Sequence, residues 1–146
     1  MFSPVYQPDP RRAEMIADLA APLHDRSRRV AGREAAAGEA DFSKGYELSV
    51  ADPEAAERLA ATVDDFHRFM SVAMEIPVAA ARHTIEARLG APEGCPSGKA
   101  EAWHLRVTES GATLTGSDAE GLRRGLVYLE DEMLAQGGPF LPVGEV

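Results

Sequence analysis

Cysteine is nearly absent: Cys95 is the only one in 146 residues. One thiol cannot close an intramolecular disulfide, so the fold must be held by packing rather than by cross-links. Basic residues are also scarce. Fifteen lysines and arginines face 24 aspartates and glutamates, a formal charge of −9. Nucleic-acid binders carry the opposite balance, so that class of partner is excluded. No run of about 18 apolar residues occurs, and so no segment is suited to span a membrane. The start, MFSPVYQPDPRRAEM, has neither the charged lead nor the apolar core of a signal peptide, and the expected compartment is the cytoplasm. The motifs H-E-x-x-H, P-loop, G-x-G-x-x-G and G-x-S-x-G are missing as well.

What is present suits one soluble domain. Hydrophobic residues make up 45%, and a chain of this length buries roughly 68–70% of its unfolded surface. The charge is uneven. Residues 1–33 hold six arginines against four acids, net +2, which leaves −11 on residues 34–146. A basic N-terminal element docked on an acidic body is the arrangement this implies.

Residues 1–9 read as an extended lead-in, and Asp9-Pro10 opens a helix carrying Met15, Ile16, Leu19 and Leu23, with Pro22 kinking or ending it. Residues 31–45 are small, polar and glycine-punctuated, hence a loop or linker. The expected division is therefore a helical element with linker over 1–44 and an α/β body over 45–146. In the body, Tyr46, Leu48 and Val50 alternate with polar residues as in a half-buried strand. Asp52-Pro53 then caps a helix whose stripe is Leu59, Val63, Phe66, Met70 and Met74, with Ala56, Ala60 and Ala73 alongside and Pro77 as its stop. A second strand follows over 83–89, with Ile85, Ala87 and Leu89 on one side.

Residues 90–99 hold three glycines and two prolines and form a surface loop. Trp103, Leu105 and Val107 make one arm of a hairpin, Ser110-Gly111 its turn, and Ala112 and Leu114 the return. Ser117 and Glu120 match the S-x-x-E capping box of a final helix with the stripe Leu122, Leu126, Leu129 and Met133. Gly137, Gly138 and Pro139 stop it. The order implies an α+β fold: one mixed sheet of about four strands with a C-terminal hairpin, two amphipathic helices on one face, and an N-terminal helical element.

That final helix contains Gly121 and Gly125, each costing about 1 kcal/mol relative to alanine. Spaced by four, they flank Leu122 and offer a side-chain-free strip, so close packing on the sheet can repay the cost in dispersion contacts. The bland alternative is that both are passengers.

The stretch GSDAEGLRRGLVYLEDEML followed by GGPFLPVGEV resembles the small α/β domain that precedes the catalytic barrel in family 20 glycoside hydrolases, the β-N-acetylhexosaminidases, with relatives in α-glucuronidases. Gly116, Asp118, Gly121, Gly125 and Leu141-Pro142 carry the likeness, which is most specific over residues 102–146 and rests on element order alone over 45–90. The resemblance implies a non-catalytic domain of the fold called zincin-like, a name for topology that brings no zinc with it. It also implies that the catalytic Asp-Glu pair lies on a barrel this chain does not contain. A catalytic barrel or another subunit would then be its partner. No catalytic, cofactor-binding or metal-ligating residue is expected here.

The residues agree with that expectation. Glu130, Asp131 and Glu132 are consecutive, so they point about 100° apart on a helix and read as a solvated face, a partner contact being the alternative. A glycosidase needs two carboxyls converging about 5–5.5 Å or about 6.5–9.5 Å apart. His24, His67, His83 and His104 show no ligand spacing. His83 and His104 lie on strands and, if those strands are neighbours, could meet beside Arg106 and the 90–99 loop; half-buried structural histidines are the plainer reading. Cys95 has no activating neighbour, and Arg123 and Arg124 read as exposed partners of Asp118 or Glu120. Phe140, Leu141 and Pro142 follow the helix stop. They must fold back, bind a partner or stay exposed, and an apolar tail of this kind is a candidate interface through which oligomers could form. Three functional classes follow: an accessory domain of a glycoside hydrolase, a free-standing protein-interaction or small-ligand module, and, least supported, an enzyme built on His83 and His104.

Overall fold

Polar–apolar alternation in the sequence becomes a sheet. The computed structural model describes residues 24–76, 83–96 and 98–146; the lead-in, the helix expected from Asp9-Pro10 with its kink at Pro22, and the stop at Pro77 lie outside them. The strands are β1 (Glu39–Asp41), β2 (Tyr46–Val50), β3 (His83–Leu89), β4 (Trp103–Thr108), β5 (Gly111–Gly116), β6 (Phe140–Pro142) and β7 (Gly144–Glu145). The main sheet runs β2-β3-β5-β4-β7. β2, β3 and β5 are mutually parallel, while β4 is antiparallel to both β5 and β7. It is thus mixed, with five strands rather than four because β7 adds to the edge of β4.

Register sorts the two faces. Leu48 pairs with Ile85, Ile85 with Ala112, and Ala112 with Val107, which puts one apolar layer on a single face. Glu86, Thr113 and Arg106 form the matching polar row on the other. The hairpin turn is Glu109-Ser110, not Ser110-Gly111: Gly111 already pairs with Thr108 as the first residue of β5. It also faces β3 so closely that a Cβ there would overlap the Thr84 carbonyl oxygen. Strand pairing, rather than turning, accounts for this glycine.

The helix expected from Asp52 to Pro77 is divided into α1 (Pro53–Arg58), α2 (Ala60–Arg68) and a wider π-helical turn over Phe69–Ala73. Asp52 caps α1 by accepting the Ala55 N–H. At Leu59 the backbone leaves helical geometry (ψ 2°) while its hydrogen bonds continue on both sides. The stripe shifts accordingly: Ala55 is buried, whereas Ala60, expected inside, is exposed. The widened turn then carries Phe69, Met70 and Ala73 into the core, and Met74 follows them.

The last helix, α3 (Ala119–Gln136), buries Leu122, Leu126, Leu129 and Met133 completely. Its cap differs from the expected Ser117–Glu120 box. Asp118 is the N-cap, its Oδ1 accepting the Gly121 N–H at 2.8 Å and its Oδ2 the Glu101 N–H at 2.9 Å. Those two backbone donors hold the Asp118 carboxyl below the usual carboxylate range. Ser117 instead accepts the Ala102 N–H through Oγ, tying the helix start to β4. Glu120, one position too early to close the box, pairs with Arg123 and Arg124, and the Arg123 hydrogen bond foremost holds it at about 2. Gly137 ends the helix in the left-handed region (φ 73°).

The stretch read as a loop, 31–45, contains β1, which pairs antiparallel with β6 (Ala40 opposite Leu141). Ala40 and Phe42 are fully buried. The sequence hides this strand because it is three residues long and takes its partner from the other end of the chain.

Gly121 and Gly125 both lie in the contact between α3 and the rest of the fold. A Cβ on Gly121 would overlap the carbonyl oxygen of Ala102, and one on Gly125 the methyls of Leu114. Alanine at either site regains about 1 kcal/mol of helix propensity but overpacks the contact at about 1–3 kcal/mol. We expect Gly121→Ala to cost about 2 kcal/mol in urea unfolding and Gly125→Ala less, since a Leu114 methyl can rotate away and a backbone carbonyl cannot. Variants as stable as the parent chain would show that the close approach is dispensable.

Candidate functional site

The polar face of the sheet carries a cavity. It measures about 360 Å³ and is lined by Arg88, Glu93, His104, Arg106, Thr113 and Thr115, with Leu89, Gly90 and Ala91 at its rim. Parity explains the lining: His104, Arg106, Thr113 and Thr115 are the outward residues of β4 and β5. Arg106 donates to Glu145 at 2.7 Å and to Glu93 at 3.1 Å, and His104 Nε2 lies 3.6 Å from Glu145. The acids here are matched by a guanidinium.

A second polar cluster lies on the helical side, in a groove of about 730 Å³. His24 Nε2 is 3.2 Å from Asp65 of α2 and 3.3 Å from Glu130 of α3. The imidazole stacks edge-on against Phe69, with ring centroids 5.0 Å apart. His24 has φ 60°, in the left-handed region that histidine enters more readily than bulky apolar residues. Glu130 is 8% exposed. Burial pushes its carboxyl up to about 7, and the charges of Asp65 and Asp131 add to the rise. Glu130 is therefore not on the solvated face expected for the 130–132 acidic run. It follows Leu126 by four residues and precedes Met133 by three, and that spacing is the signal that places it beside the buried stripe.

Neighbouring residues fasten the same region. The Arg28 N–H donates to the Ala73 carbonyl and the Val30 N–H to that of Gly137, both at 2.8 Å. Arg33 pairs with Glu39 at 2.6 Å, and its guanidinium lies 4.6 Å from the Phe140 ring centre. Of these contacts only the Arg33–Glu39 pair is one of charge; those of Arg28 and Val30 are backbone hydrogen bonds. Across the fold, Tyr46 Oη contacts His67 Nδ1 at 2.5 Å, and burial pushes that phenol up to about 12.

His83 and His104 do not meet. β5 separates their strands, and the two side chains fall on opposite faces. His83 contacts the Glu109 carbonyl at 2.8 Å instead. The pocket proposed from these two histidines is thus not formed. Arg123 and Arg124 are exposed partners of Glu120, and Arg124 also reaches Glu101 at 2.6 Å. Cys95 is a free thiol in the 90–99 loop. Of the tail, Phe140 and Leu141 fold back and are buried through the β1–β6 pairing, whereas Pro142 is exposed. The apolar surface at this end comes from Val143 and Val146.

Asp65 and Glu130 are the carboxylates that converge with a histidine on the helical side. Their oxygens lie within 4.8 Å of each other, with the imidazole nitrogen as close to both. Among the described residues no helix is long and apolar enough to cross a membrane.

The molecule is thus an α+β domain with a mixed sheet, one helix-covered face and one polar face. Its backbone overlaps that of a small part of a GH20 β-N-acetylhexosaminidase from Streptomyces coelicolor A3(2): TM-score 0.54, 22% identity, 86% of this chain and 26% of that one. A looser overlap, with the GH20 chitobiase of Flavobacterium johnsoniae, has TM-score 0.45 and 19% identity, and covers 71% of this chain and 17% of that one. The fold is one that occurs within GH20 chains, and this chain spans only about a quarter of the first enzyme's length. No family model and no curated protein matches the sequence.

Glu130 has a measurable consequence. Its folded value of about 7 lies above the ordinary 4.5, so between those values the folded state binds more protons than the unfolded one. Stability from this group is therefore present at pH 5 and lost as pH rises through 7, by up to about 3 kcal/mol. In EDTA-containing buffer, the parent chain and Glu130→Gln should diverge from pH 5 to pH 8, the variant becoming relatively more stable. Parallel stability curves would refute the assignment.

Proposed function

We propose that this chain is a non-catalytic accessory domain of a glycoside hydrolase of β-N-acetylhexosaminidase type, bracing or presenting a catalytic barrel. The overlap with a minor fraction of a GH20 enzyme carries this reading. Two features of the chain favour it. Its helical-side carboxylates, Asp65 and Glu130, both lie against the His24 imidazole, and its charged cavity on the sheet is internally paired rather than poised for proton transfer. Interfaces between domains of one chain are moderate in area and rather polar, and the polar sheet face has that character.

A second reading is a free-standing interaction or small-ligand module. The observation in its favour is the 360 Å³ cavity itself, whose lining of Arg88, His104, Thr113 and Thr115 suits a small polar ligand.

The two readings separate in one set of assays. The purified chain should give no turnover of chromogenic N-acetylglucosaminides. Mixed with or joined to a GH20 barrel from the same source, it should raise the barrel's unfolding temperature by on the order of 5 °C. Turnover by the chain alone would overturn the non-catalytic reading, and a barrel indifferent to the chain would favour the module.

A further inference from the structure

We infer that His24, Asp65 and Glu130 form a divalent transition-metal site that clips residue 24 to helices α2 and α3. The three side chains come from segments far apart in sequence, and their donor atoms all lie within 4.8 Å of one another. Spacing rules could not reveal such a set.

The distances fit a metal. Ligand atoms around tetrahedral zinc lie about 3.3–3.5 Å apart, given metal–ligand bonds of about 2.0–2.2 Å. His24 Nε2 stands 3.2 Å from Asp65 Oδ2 and 3.3 Å from Glu130 Oε2. The Asp65 contact is also a hydrogen bond at 3.2 Å, longer than the about 2.7–2.9 Å usual for a charge-assisted one, and a single Nε2–H cannot serve both acceptors well. The electrostatics agree. Two carboxylates face a single imidazole in a partly dry site, and among the described residues neither acid has an arginine or lysine partner. A divalent cation supplies the missing positive charge. One imidazole and two carboxylate oxygens suit Zn²⁺ or its first-row neighbours, with the fourth position facing the groove.

The other histidine–carboxylate set, Glu93, His104 and Glu145, has equally close donor atoms. There Arg106 pairs with both acids at 3.1 and 2.7 Å, so a cation would have to displace it. The inference falls on the first cluster for that reason.

The metal itself is the probe. Titrating EDTA-stripped chain with ZnCl₂ at pH 7.5 in a calorimeter should give one site. A hundredfold excess over Kd should raise the unfolding temperature by on the order of 5–10 °C. His24→Gln and Glu130→Gln should each abolish the thermal shift. The second variant removes a buried charge, so it stays folded and keeps the test independent of a folding defect. His104→Gln should leave the shift intact. Co²⁺ should develop the visible bands of a four- or five-coordinate ion in the parent chain and not in His24→Gln. No stoichiometric binding, a shift that survives both cluster variants, or a shift lost only in His104→Gln would each overturn the site.

Discussion

The fold depends on how near α3 can come to what lies beneath it. A helix with side chains at positions 121 and 125 would stand off from the Ala102 carbonyl and from Leu114. Leu122 and Leu126 would then lose the depth at which they are fully buried. Packed interiors tolerate little slack, because dispersion falls steeply with a gap of even half an ångström. The glycines therefore exchange a local helix cost for contact along the whole stripe. Asp118 fixes where that contact starts. By accepting N–H groups from both Gly121 and Glu101, it locks the first turn to the approach to β4.

Closing the core at its other end falls to the termini of the described chain. β1 and β6 pair residues about 100 positions apart in sequence, and Phe42 and Leu141 are buried in the core there. Arg33 covers this corner, held by Glu39 and resting over Phe140. Residues 24–33 are thereby fastened to the body, through backbone hydrogen bonds at Ala73 and Gly137. Helix and sheet bury most of one face and leave the other polar.

Much of this was legible in the sequence. Period-two alternation over 46–50, 83–89 and the hairpin, and the Leu122–Met133 stripe, located the sheet core and its covering helix, since each element announces itself within its own few residues. Ser117 and Asp118 both qualify chemically as the cap, and the second donor, the Glu101 N–H arriving from a loop, is what the sequence does not show. Ala60 was assigned inward on an ideal helix, and the bend at Leu59 turned it out. The acidic run 130–132 looked uniform, yet a rotation of about 100° per residue separates the buried Glu130 from its neighbours.

The sequence by itself determined the mixed α+β class, the amphipathic faces and the absence of any motif with a catalytic spacing, because those properties are periodic and local. Tertiary structure alone decided which distant residues meet. It inserted β5 between the strands of His83 and His104 and so kept those histidines apart. It brought His24, Asp65 and Glu130 together from three segments, and it paired β1 with β6. Strand order and helix docking are fixed by burial of the whole chain at once, and no short window of sequence carries that sum.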